Sequence, residues 1–167
     1  MNPSDFLSTV AQVAVAIAGF SGIVVAVGQR TVRDLAPVDR VRLVGLVADT
    51  SLALMLSLMT MILLNTDIAL SRVWLVCSAV EAIVIPVSYG IRFRYAFRTA
   101  AADVTRAHAR ATLAIFLPIL IVVFLLQAYN VVLLREFWPF AVGLVFHVWA
   151  SLAVFGGLLF MVRGRDA

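Results

Sequence analysis

Lysine is missing from this 167-residue chain, and all 13 basic residues are arginine. That absence excludes any chemistry needing a lysine amine, including retinal or pyridoxal Schiff bases and a phosphate-binding P-loop. Charge of either sign is scarce: charged residues make up 13% of the chain, against about 25% in an ordinary soluble domain. The single cysteine, Cys77, can form no intramolecular disulfide, and its apolar surroundings in sequence read as those of a small buried hydrophobe. With only two histidines, His108 and His147, a bis-histidine haem inside an apolar bundle lacks its ligands.

Apolar surface is what the chain has in abundance. Hydrophobic residues make up 63% of it and the mean hydropathy is +1.07, more than a water-soluble fold of this size can hide. A hydrocarbon core about 30 Å thick takes about 20 helical residues to cross. Five runs qualify, at about 6–27, 41–64, 68–89, 111–134 and 137–162. The expected fold is therefore all-α, a five-transmembrane-helix bundle forming one membrane domain over 1–167. The first run has no basic residue before it and too long an apolar stretch for a signal peptide, so it reads as a retained helix.

Arginines accumulate in connections on the cytoplasmic side of a membrane. Arg30, Arg33, Arg40 and Arg42 follow the first run, Arg92, Arg94, Arg98, Arg106 and Arg110 follow the third, and Arg163 and Arg165 follow the fifth. Only Arg72 and Arg135 fall on the opposite side. The pattern predicts an inner-membrane, multi-pass protein with its N-terminus outside and its C-terminus in the cytoplasm. Trp74 and Trp138 closely follow the two outer arginines, as an outer aromatic belt requires. Their similar settings suggest that the second and third runs and the fourth and fifth runs are repeated hairpins.

The largest expected extramembrane piece, about 91–110, is too short to bury a core, so no soluble catalytic domain is expected. Arg92, Arg94 and Arg98 alternate there with Phe93 and Phe97. That arrangement reads as a basic-aromatic collar at lipid headgroups rather than a nucleic-acid surface.

Ionisable groups inside the bilayer are the informative residues, because even lenient insertion scales charge about 2.5 to 3.5 kcal/mol for Asp or Arg at mid-membrane. Asp49, Glu81 and His147 are such groups. Counted at 1.5 Å per residue, Asp49 lies about 12 Å from the cytoplasmic end of its helix, while Glu81 and His147 lie about 10 and 14 Å from the outer belt. Gln127 and Asn130 share one face of the fourth run at i and i+3. The expectation is a polar cluster of Glu81, His147, Gln127 and Asn130 in the outer half, with a proton shared between Glu81 and His147. Asp49 is expected apart from it, within reach of Arg42. Each of these groups also has a plain structural reading, as a hydrogen-bonded contact between helices.

Ala14, Ala18, Gly22 and Ala26 recur every fourth residue on the first run and offer a face for close helix approach. Such a face serves as a packing seam, an oligomer interface or a pore lining. Pro86 and Pro118 fall inside the third and fourth runs, where proline removes a backbone hydrogen bond. A zinc site at Glu81 and His147 has no ligand-spacing motif behind it, and no nucleophile-elbow sequence surrounds Ser78, Ser88 or Ser151. No enzyme, metal or cofactor is expected. The leading expectation is a homo-oligomeric channel or small transporter for cations or protons. The second is a scaffold or accessory subunit that binds another membrane protein or lipid.

Overall fold

The computed structural model describes residues 2–27, 37–99 and 103–163, and the side chains among them except at 24–27, 37–39, 96, 97, 99, 103–112 and 158–163. The readings made above for Arg30, Arg33 and Arg165, and for the side chains of Ala26, Phe97, Arg106, His108, Arg110 and Arg163, lie outside the described residues. Among those described, the chain is all helical, without strands. Its helices are α1 (Pro3–Val27), α2 (Pro37–Leu64), α3 (Leu70–Thr99), α4 (Asp103–Tyr129) and α5 (Phe137–Arg163), with a π-helical turn at Asn130–Leu134 between the last two. Five stretches of 21 to 26 residues, one on each helix and the fourth running from α4 through the π turn to Leu134, are long and apolar enough to cross a membrane.

Helix ends follow local chemistry. Asn2 Oδ1 accepts the Ser4 N–H at 3.1 Å, Pro3 opens α1, and Asp5 lies in its first turn, where the helix dipole favours an acid. At the far end of α2, Asn65 donates to the Met61 carbonyl and Thr66 to that of Leu63, satisfying acceptors that the helix leaves open. The helix α3 continues past the apolar run to Thr99 and α4 starts at Asp103, so the expected 91–110 connection is largely helical. Pro86 and Pro118 stay inside α3 and α4 without ending them.

Packing centres on α2, which lies against α1, α3 and α5. At one end of the bundle Phe6, Trp74 and Phe137 form an aromatic cluster, with ring centroids 5.5 Å (Phe6–Phe137) and 5.1 Å (Trp74–Phe137) apart. Leu7, Val10, Ala14, Leu56, Cys77, Phe140 and Leu144 extend that core. Toward the other end Ile85, Tyr89, Leu120, Val123 and Phe146 form a second one. Hydroxyls that would be costly in such surroundings bond back to their own helix, as Ser21, Thr50, Thr60 and Ser151 do to the carbonyl four residues earlier. Cys77 is buried, with its Sγ 3.2 Å from Thr60 Oγ1.

The four-residue repeat on α1 does not stay on one side of the helix. Four residues turn 400°, so the stripe drifts about 40° per step around the axis. Leu7, Val10, Ala14, Ile17 and Ser21 are buried instead, following the shorter period of a packed seam, while Ala18 and Gly22 are exposed. Ala14 is thus an internal contact. A shallow groove of about 300 Å³, lined by Ala14, Ala18, Gly19, Thr50 and Leu54, runs beside the exposed part.

Candidate functional site

Between the two apolar cores lies a chain of ionisable side chains drawn from α2, α3 and α5. Glu81, Ile85, Tyr89 and Arg92 are spaced four, four and three residues apart, which brings them to one face of α3. That face meets Asp49 of α2 and His147 of α5, and Asp49, Glu81 and His147 are all buried to within 1%.

Asp49 is the hub. Arg92 grips it with two nearly parallel bonds, Nη1 donating to Oδ2 at 2.6 Å and Nη2 to Oδ1 at 2.7 Å, the bidentate geometry that suits guanidinium to carboxylate. The Tyr89 hydroxyl donates to Oδ1 at 3.1 Å, and the Arg92 guanidinium carbon sits 4.5 Å from the centre of the Tyr89 ring, within cation–π range. His147 Nδ1 is 3.4 Å from the same Oδ1.

An ionised carboxylate has only acceptors. Facing Asp49, His147 therefore carries its proton on Nδ1 when neutral, which leaves the Nε2 lone pair free on the other side of the ring. Nε2 points toward Glu81, with Oε1 at 3.7 Å. Neither Glu81 oxygen has a hydrogen-bond partner, and neither does His147 Nε2. An acid and a basic nitrogen thus stand side by side, closed off from solvent and each unpartnered.

The arrangement departs from the sequence expectations in three respects. Asp49 is not separate from the Glu81–His147 pair; His147 bridges the two carboxylates, and the partner of Asp49 is Arg92 of α3. Arg92, expected at lipid headgroups with Arg94 and Arg98, turns inward because it shares a helix face with Tyr89, whereas Arg94 and Arg98 are exposed. Gln127 and Asn130 make their bonds elsewhere.

Asn130 organises the turn from α4 into α5. Its Nδ2 donates to Ser78 Oγ at 2.7 Å and to the Glu136 carbonyl at 2.9 Å, and its Oδ1 accepts the Glu136 N–H at 2.9 Å. Arg135 there takes a left-handed conformation (φ 54°, ψ 42°), its N–H bonding back to the Asn130 carbonyl and closing the π turn. Gln127 donates to the Pro139 carbonyl at 2.7 Å, tying α4 to the first turn of α5.

Glu81 is enclosed within a single copy of the chain, so its helix does not present it to an axis between subunits. Among the described residues no group of three or more His, Cys, Asp or Glu is placed to hold a metal ion. No protein-family model matches this chain, and neither does any curated protein or solved structure.

Proposed function

We propose that the chain is a proton-handling membrane protein, a proton channel or a small proton-coupled transporter, in which Glu81 carries the proton and His147 relays it. The observation that carries this reading is the pairing of Glu81 with the free Nε2 of His147 inside the bundle, both unpartnered and both inaccessible to solvent. A hydrated cation needs several oxygen ligands and a path wide enough to reach them. A proton needs only donor and acceptor in line, and a short approach of 3.7 Å to bonding distance supplies that.

The step is a simple transfer. The Glu81 carboxyl gives its proton to His147 Nε2, leaving a carboxylate and an imidazolium whose Nδ1–H faces ionised Asp49. Arg92 holds the Asp49 carboxylate in place through both bonds, so the Asp49 charge steadies the imidazolium as it forms. In this reading the five helices lie in the cell inner membrane, the N-terminus and the Phe6–Trp74–Phe137 cluster are outside, and Arg92 marks the cytoplasmic side. The arginine distribution supports that orientation.

The test is proton uptake into liposomes holding the purified protein under an imposed membrane potential. Wild type should carry protons and Glu81→Gln should not. Equal flux from both would remove Glu81 from the path.

A second reading, a scaffold or accessory subunit, is favoured by the exposed small face of α1. Gly19 and Gly22 have open space where a side chain would stand, room for another helix to approach. Pull-down from native membranes separates the two, since a scaffold brings down a different protein in fixed proportion.

A further inference from the structure

On the far side of Glu81 from α3 stands Gly143 of α5, and a Cβ placed there would collide with all three atoms of the Glu81 carboxyl group. The three atoms nearest to such a Cβ all belong to the Glu81 carboxyl, the end of a flexible side chain, so it is this group that must shift when any other residue stands at 143. Gly143 precedes His147 by four residues, one turn along the same face of α5. Helical side chains lean toward the N-terminus of their helix, so the face over Gly143 is also the direction in which a residue at 147 leans. The acid and the imidazole meet above one glycine. Within α5 a glycine has no turn to make, and its backbone carries no positive φ, so conformational freedom does not account for it.

We infer that Gly143 is a positioning residue for the Glu81–His147 pair: its missing side chain forms the seat in which the carboxyl lies, and that seat sets the distance between Oε1 and Nε2. The inference rests on the proton-transfer reading for its functional consequence, but the seat is a feature of packing and can be tested without transport. Gly143→Ala adds one carbon where the carboxyl lies and pushes it off α5. Helix propensity alone favours alanine over glycine, so a weaker helix would not explain a loss. Shortening the acid by one methylene with Glu81→Asp gives that space back.

The experiment compares wild type, Gly143→Ala, Glu81→Asp and the double variant in the proton-uptake assay, each checked for monodisperse behaviour and helical content. Displacing reacting groups by about 1 Å costs up to about a hundredfold in rate. Gly143→Ala should therefore lower uptake at least tenfold in the wild-type background and much less in the Glu81→Asp background, where the shorter acid leaves the space over residue 143 free. Uptake by Gly143→Ala at the wild-type rate, or an equal loss from Gly143→Ala in the Glu81→Asp background, overturns the inference. If wild type carries no protons, the functional reading fails by itself and infrared spectroscopy decides the seat. Glu81 and Glu136 are the chain's two glutamates, so glutamate labelled with ¹³C at the side-chain carboxyl, with Glu81→Gln as reference, isolates the Glu81 band. A shifted band in Gly143→Ala supports the seat, and an unchanged band overturns it. Should Gly143→Ala not fold, the double variant carries the test: folding restored by Glu81→Asp supports the steric seat, and failure of both overturns it.

Discussion

Arg92 of α3 holds Asp49 of α2 by both terminal guanidinium nitrogens at 2.6 and 2.7 Å, across 43 residues of sequence. The Asp49 side chain is 1% exposed and that of Arg92 15%. Removing one member of a buried pair strands the other charge, which costs about 3 to 5 kcal/mol. Arg92→Ala should therefore destabilise the bundle by that order, read from reversible detergent unfolding. Replacing both residues by leucine should cost clearly less than Arg92→Ala alone. Arg92→Lys should fall between, because an ammonium neither forks onto the carboxylate nor stacks on Tyr89 in the same way.

His147 stands between the two carboxylates without being the main support of either. His147→Leu should abolish proton uptake in liposomes while costing less stability than Arg92→Ala, because the Asp49–Arg92 pair and its Tyr89 bond remain. Loss of uptake together with equal loss of stability would mean that His147 is a packing residue.

Asn130 has its amide fully engaged by Ser78 and by both backbone groups of Glu136. Asn130→Ala leaves buried donors and acceptors open, each worth about 1 to 3 kcal/mol. The expected outcome is faster hydrogen exchange around the α4–α5 turn and the left-handed Arg135, with the segments that carry Asp49, Glu81 and His147 less affected.

The two halves of the small-residue stripe should respond differently. Ala14 is 1% exposed, so Ala14→Leu overpacks the α1–α2 seam at a cost of about 1 to 3 kcal/mol. Gly22 has open space around it, and Gly22→Leu should leave the monomer's stability unchanged or slightly raised. If Gly22→Leu alters the oligomeric state in native mass spectrometry, the exposed half of α1 is a subunit contact.

Much of this fold was legible in the sequence, because length and hydropathy along one helix are local quantities. The five apolar runs correspond to five helices, and Glu81 and His147, placed about 10 and 14 Å from Trp74 and Trp138 by helical rise alone, face each other at 3.7 Å. What hydropathy does not carry is rotation. Depth separated Asp49 from Glu81, yet His147 is long enough to touch both levels. Arg92 opens an arginine-rich run whose composition points to headgroups, although its spacing from Tyr89 and Ile85 places it on the Glu81 face. That spacing was the available signal. The Asn130 turn had none, since a π turn and a left-handed arginine answer to tertiary bonds with Ser78 and Glu136. The seat at Gly143 was equally hidden, because a glycine in an apolar helix shows its purpose only when the residue opposite is known.

The central claim is that protons, and not metal cations, move through the Glu81–His147 pair. It is tested most directly by the reversal potential of the purified protein in a planar bilayer, with a pH gradient and with large organic cations replacing sodium and potassium. The account predicts a potential that follows the proton gradient with the slope of a single charge, about 59 mV per pH unit, and a current that disappears in Glu81→Gln. A reversal potential that ignores pH and follows sodium or potassium when they are restored, or a current that survives Glu81→Gln, would contradict it.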